Sequence, residues 1–166
     1  VAPIVEGHGE VGAVRILLER LWRELLDGEF VEVLQPIRRP RTLLVKHDEL
    51  SRAVRLAAAK LAEVRTLETH RMVLLLLDAD QDRPCVLAPQ LQQSLRETQA
   101  HVDIACVLAN VEYETWFVAA AESLPKYLII RPGERIPESP EQSRCGKRWV
   151  AERCREIRYS ETRHQP

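Results

Sequence analysis

The sequence predicts an α/β domain in which helices cover both faces of a parallel sheet of about four strands. Three observations carry that expectation. Residues 72–77, Met-Val-Leu-Leu-Leu-Leu, are apolar at every position, as in a strand buried on both sides. Between residues 1 and 124, strand-like and helix-period segments alternate in the order βαβαβαβα, which right-handed crossovers turn into a parallel sheet. Acidic residues follow three of the strand-like runs, where open α/β sheets bind ligands.

The first strand is the apolar run 1–5, followed by Glu6-Gly7-His8-Gly9-Glu10. Val14, Leu17, Leu18, Leu21 and Leu25 then recur at spacings of three and four, predicting an amphipathic helix that Gly28 stops. Residues 30–37 are β-branched and aromatic and end among Pro36 and Pro40, so they read as a second strand, with Arg38, Arg39 and Arg41 after it. Leu50, Val54, Ala57, Leu61, Val64 and Leu67 mark a second helix, with Asp48, Glu49 and Ser51 in its first turn, where the dipole and capping favour them. The central strand 72–77 exits into Asp78-Ala79-Asp80-Gln81-Asp82. A helix at 86–95, a strand at 102–109 and a helix at 111–124 follow, the last with Tyr113, Phe117, Ala120 and Leu124 as its buried stripe.

Residues 125–140 lose all periodicity, and Pro125, Pro132, Pro137, Pro140 and Gly133 predict a long surface loop. A last helix is expected at 144–157, with Trp149, Val150 and Cys154 inward. Residues 1–124 thus form the expected core, and 125–166 a Pro-rich loop and helix packed on it. The chain starts without Met and stops after a polar segment, so it is expected to be incomplete.

With 166 residues, 45% apolar and 30% charged, and a net charge of -1, the composition is that of one soluble globular domain and excludes general disorder. No apolar run approaches the ~20 residues of a membrane helix, so no membrane association and a cytoplasmic location are expected. The 4 cysteines include no CxxC pair and read as reduced thiols.

The acidic residues are the chemical signal. Glu6 follows strand one, Asp78, Asp80 and Asp82 the central strand, and Glu112 and Glu114 the last. Alternate residues of an extended segment share a side with Cα atoms roughly 6.6 Å apart, so Asp78 and Asp80 can address one ion. Two carboxylates at ~4 Å repel by about 4 kcal/mol at an effective dielectric of 20. Either some stay protonated or a hard cation neutralises them, and Mg²⁺ or Mn²⁺ suits a few carboxylates with substrate phosphates. Glu112 and Glu114 lie about 200° apart on a helix, and Glu114 is the one expected to face the site. Taken alone, the DxD tripeptide is an ordinary strand exit; its convergence with Glu6 and Glu114 raises it to a metal-site candidate.

Val5-Glu6-Gly7-His8-Gly9-Glu10, Leu77-Asp78-Ala79-Asp80, Ala109-Asn110-Val111-Glu112-Tyr113-Glu114-Thr115-Trp116 and Gly146-Lys147-Arg148-Trp149 resemble the bacterial proteins grouped as domain of unknown function 4276. That family is similar to TOPRIM domains, the catalytic fold of topoisomerases, primases and OLD-type nucleases. The resemblance spans essentially the whole chain. It implies Mg²⁺- or Mn²⁺-dependent cleavage or transfer at nucleic-acid phosphodiesters, with Glu6, Asp78 and Asp80 catalytic and these three with Glu114 holding metal. It also implies a role in phage defence or mobile-element biology, beside an ATPase partner.

Substrate contacts are expected from His8, which lies between two glycines before a helix, from Arg38 and Arg39, and from Lys147 and Arg148. Residues 144–163 hold seven basic against three acidic residues. His47, His70, His101 and His164 have no ligand spacing and read as surface residues, and Trp116 as a packing residue. Two rival functions are a haloacid-dehalogenase-like phosphatase with Asp78 as nucleophile and a non-catalytic metal-binding module for a partner ATPase. The first rival is weakened because Asp82 stands where that motif has Thr or Val, and because the motif is central.

Overall fold

The computed structural model describes residues 1–64, 70–98, 101–142, 146–155 and 159–164, except the side chains of 163 and 164. Four strands form one sheet: β1 (Ala2–Val5), β2 (Ile37–Arg38), β3 (Met72–Asp78) and β4 (Asp103–Ala109). Every pairing is parallel, and the spatial order is β2-β1-β3-β4. The helices are α1 (His8–Arg20), α2 (Arg41–Leu44), α3 (His47–Glu63), α4 (Pro84–Thr98), α5 (Glu114–Ala119), α6 (Gly146–Arg153) and α7 (Glu161–His164). Among the described residues, no helix is long and apolar enough to cross a membrane.

Helices cover both faces. Ala2, Ile4, Val73, Leu75 and Leu77 point into one core cluster with Val54 and Leu61 of α3 and Leu91 and Leu95 of α4. Val5, Leu74 and Leu76 point into the opposite cluster with Ala13 and Val14 of α1 and with Tyr113. This period-two division explains why residues 72–77 need to be apolar throughout, since each buried leucine contributes roughly 1.5–3 kcal/mol on one side or the other. A third cluster joins Val118, Ala121, Leu128 and Val150.

Several expectations need correction. Residues 30–37 do not form a strand: only Ile37–Arg38 pairs with β1, and Phe30 is 74% exposed. Pro36 has no N–H to donate, and the segment before it meets Val1 through Leu34 N–H on the Val1 carbonyl at 2.9 Å and the Val1 ammonium on the Glu32 carbonyl at 2.6 Å. The stripe of α1 stops early. Leu21 and Leu25 are exposed in a five-residue π-helical extension, Leu21–Leu25, that runs past the sheet. The helix expected at 111–124 shortens to α5 and a 3₁₀ turn, Ala121–Ser123, so Val118 and Ala121 are buried where Ala120 was expected. The 125–140 segment is not purely a surface loop, because Leu128 is buried and bridges antiparallel to Cys154. Leu67, Cys145 and the expected helix boundaries at 144 and 157 lie outside the described residues.

The chain leaves β1 toward β2 on one side and β3 toward β4 on the other, so the winding direction reverses between β1 and β3. The crevice beyond the carboxyl ends at such a reversal is where open α/β sheets bind ligands. Val5 pairs with Leu76, and Asp78 with Ala109. Glu6, Asp78 and the segment leading to Glu114 therefore leave three adjacent strands at nearly one level.

Candidate metal centre

Glu6 and Asp78 meet across the reversal. The Glu6 carboxylate accepts the backbone N–H of Asp78, and burial, then the charges of Asp80 and Glu10, raise its pKa above the usual carboxylate range. Burial, then Glu10, Glu6, Glu114 and Asp80, push the Asp78 carboxyl up to about 8. All four of the expected ligands, Glu6, Asp78, Asp80 and Glu114, thus belong to one electrostatic neighbourhood.

The structure adds Glu10, one α-helical turn after Glu6 in the first turn of α1 and only 8% exposed. Glu10 folds back over Gly7, where any Cβ would collide with its carboxylate. Oε2 of Glu10 and Oε2 of Glu6 are both buried without a hydrogen-bond partner. An acid one turn after Glu6 reads in sequence as a helix-dipole residue, so the only signal that could have found it is the i, i+4 spacing itself.

Asp80 and Asp82 have a different environment. Arg41, the first residue of α2, donates from Nε to the Asp78 carbonyl at 3.1 Å and from Nη2 to the Ala79 carbonyl at 3.2 Å. The same guanidinium pairs with Asp80 at 3.3 Å and with Asp82. Opposite it, Asp80 N–H donates to the Val111 carbonyl at 2.8 Å and Ala79 N–H to the Ala109 carbonyl at 2.9 Å. Asp80 and Val111 both sit in the left-handed region, at φ 52 and φ 67. For a β-branched residue that conformation is strained, and it persists here because the two strand-exit loops lock each other.

Glu112 and Glu114 divide their roles. Glu114 is 2% exposed, accepts the Tyr159 hydroxyl at 3.1 Å, and has its pKa raised by burial. Glu112 instead accepts Lys147 N–H at 2.8 Å, satisfying a donor at the start of α6. Gly146 makes that contact possible, since a Cβ there would lie 2.8 Å from Glu112 Oε1 and 3.2 Å from Thr115 N. Tyr113 floors the acids: burial, then Glu10, Glu114 and Asp78, push its phenol up to about 12. Its ring packs on Trp116 at 5.0 Å and Phe117 at 5.5 Å, the packing role expected of Trp116.

Of the expected substrate contacts, Arg38 reaches the Glu6 carbonyl at 3.5 Å, and Lys147 lies beside Glu114 while pairing with Glu161. His8 is exposed at the first position of α1. Arg39 is exposed and donates to the Arg38 carbonyl at 3.0 Å, while Arg148 pairs with Glu152 at 2.8 Å along the outer face of α6. His47, His70 and His101 are exposed as expected, and the His164 side chain lies outside the described residues.

Among the described residues, no three Asp, Glu, His or Cys side chains form a ready-made cage for a metal ion. The donor chemistry nonetheless fits a hard cation: two buried carboxylate oxygens lack partners, and Asp78 beside them carries a strongly raised pKa. Neither family models, nor curated proteins, nor solved structures match the chain. The assignment of the site therefore rests on the chain's own residues.

Proposed function

We propose that this chain is a TOPRIM-like domain that binds Mg²⁺ or Mn²⁺ and processes nucleic-acid phosphodiesters. The observation that supports this best is the pair of buried, unpartnered oxygens on Glu6 and Glu10 beside Asp78, at the reversal of the sheet. Glu6, Glu10 and Asp78 would hold the cation, with Asp80 and Glu114 around it. When bound, the cation supplies charge stabilisation at a phosphoryl oxygen.

The chain's own groups do the rest. Glu6, whose proton affinity is raised by burial and then by the charges of Asp80 and Glu10, is suited to take a proton from an attacking hydroxyl or water. Arg38, which reaches the Glu6 carbonyl, and Lys147, which lies beside Glu114, would hold substrate phosphates, with His8, Arg39 and Arg148 as outer contacts. On this reading the protein works in the cytoplasm, in keeping with free thiols at Cys85, Cys106 and Cys154, and phage defence beside an ATPase is the proposed setting. Mn²⁺-dependent nicking of supercoiled plasmid, lost in Asp78→Ala, is the expected result. Nicking that persists in that variant would assign the activity to a contaminant.

A second reading, a non-catalytic metal-binding module, is favoured by the pairing of Asp80 with Arg41 and of Glu114 with Tyr159, which engages two of the expected ligands. Thermal stabilisation by Mg²⁺ without turnover of any nucleic acid would select it. A phosphatase with Asp78 as nucleophile is disfavoured, because Asp82 stands where that motif has Thr or Val and because the motif lies centrally in the chain.

A further inference from the structure

We propose that Arg41 occupies the position of a second cation, so that the site takes one divalent metal ion rather than two. The inference rests on the metal reading above and adds its stoichiometry.

The acids divide into two groups. Glu6, Glu10 and Asp78 have no cationic side chain bonded to them among the described contacts, and two of their oxygens are buried without any partner. Asp80 and Asp82 share the Arg41 guanidinium, whose side chain is only 17% exposed although theirs are 56% and 55% exposed. Arg41 is not a surface cation that happens to touch an acid. Its Nε and Nη2 also donate to the carbonyls of Asp78 and Ala79, so the planar fork is fixed to the backbone of the loop that carries the carboxylates.

Two consequences follow from charge. A guanidinium fixed between Asp80 and Asp82 offsets one of the two negative charges that would draw a second divalent ion there, and it repels any such ion directly. A permanent cation so placed can also stabilise charge on a transferred phosphoryl group, the task a second metal performs elsewhere. Arg41 is thus a positioning residue for the loop and a fixed charge for the site. The sequence shows only an arginine near two others after a short strand, without its partners.

Equilibrium dialysis of the full chain against MnCl₂ tests this by counting bound ions. Wild type is expected to bind one equivalent, Arg41→Gln two, and Arg41→Lys, which keeps the charge, one. The double variant Arg41→Gln/Asp80→Asn is expected to return to one, locating the added ion at Asp80. Two equivalents in wild type, or no more ions in a folded Arg41→Gln than in wild type, would overturn the proposal. If Arg41→Gln fails to fold, the wild-type count decides alone. No ion in wild type but one in Arg41→Gln would keep the role of Arg41 and remove the Glu6–Glu10–Asp78 seat. No ion in either protein would remove both.

Discussion

The two halves of the acidic crevice differ in how their charge is compensated, although they are only a few residues apart. Asp80 and Asp82 are exposed, share one guanidinium and sit on a loop bonded from both sides. Glu6, Glu10 and Asp78 are more enclosed, face one another and have two oxygens without partners. The first arrangement is self-sufficient as it stands. The second has two ways to neutralise itself: its carboxyls hold protons when no ligand is present, or they release them when a cation from outside the chain binds. The contrast teaches that the DxD motif is divided: its first aspartate belongs to the uncompensated half and its second to the half held by Arg41.

The contrast is broken most severely by substitution at its two poles. Glu10→Ala should weaken Mn²⁺ binding by at least the ~10–100-fold that losing an outer-shell partner costs, whereas Asp82→Ala should change it by less than about tenfold. Isothermal titration of the two variants side by side measures the asymmetry. Equal losses would erase the distinction between the halves.

Stability without metal sharpens the same point. Asp78 holds its proton up to about 8 in the folded protein, against about 3.9 for an aspartate in an unfolded chain. At this group the folded protein therefore binds more protons than the unfolded chain between those values, so its contribution to stability is greatest below about pH 4, falls as pH rises, and levels off above about 8. Asp78→Asn should flatten that slope and stabilise the metal-free protein by about 1–2 kcal/mol at pH 8, as removal of a functional strain does. Urea titrations from pH 5 to pH 8.5 would show it. The same pH slope in wild type and Asp78→Asn, both in chelator, would contradict the assignment.

A smaller effect comes from Gly7. An added methyl would collide with the Glu10 carboxylate and displace it, so Gly7→Ala should cost about tenfold in Mn²⁺ affinity while leaving the fold intact. Smallest of all is Val111→Gly. Relief of the left-handed valine should outweigh the entropy of glycine, giving a change between zero and about 1 kcal/mol of stabilisation in thermal melts. An ordinary loop valine would instead lose stability on the same change.

Much of the architecture was legible because long-period patterns determine it. The uniform apolarity of 72–77 can be satisfied only between two helical layers, and the alternation of elements leaves few topologies open. The 30–37 segment misled because β-branched composition was read without the cost of Pro36 at a sheet edge. Leu21 and Leu25 misled because helical spacing extends past the end of the sheet that would bury it. At the site, Glu6, Asp78, Asp80 and Glu114 were readable from their positions after strands. Glu10 and Arg41 were not. An acid in a first helical turn and an arginine after a strand each have an ordinary explanation in sequence, and only tertiary partners distinguish them.

The central claim is that Glu6, Glu10 and Asp78 form a seat awaiting a cation. Thermal melting of wild type and Glu10→Gln across a Mn²⁺ titration tests it most directly. Wild type should gain about 2.7 kcal/mol at a hundredfold excess over its dissociation constant, and Glu10→Gln almost none at the same concentration. Equal gains in the two proteins, or no gain in wild type, would contradict the account.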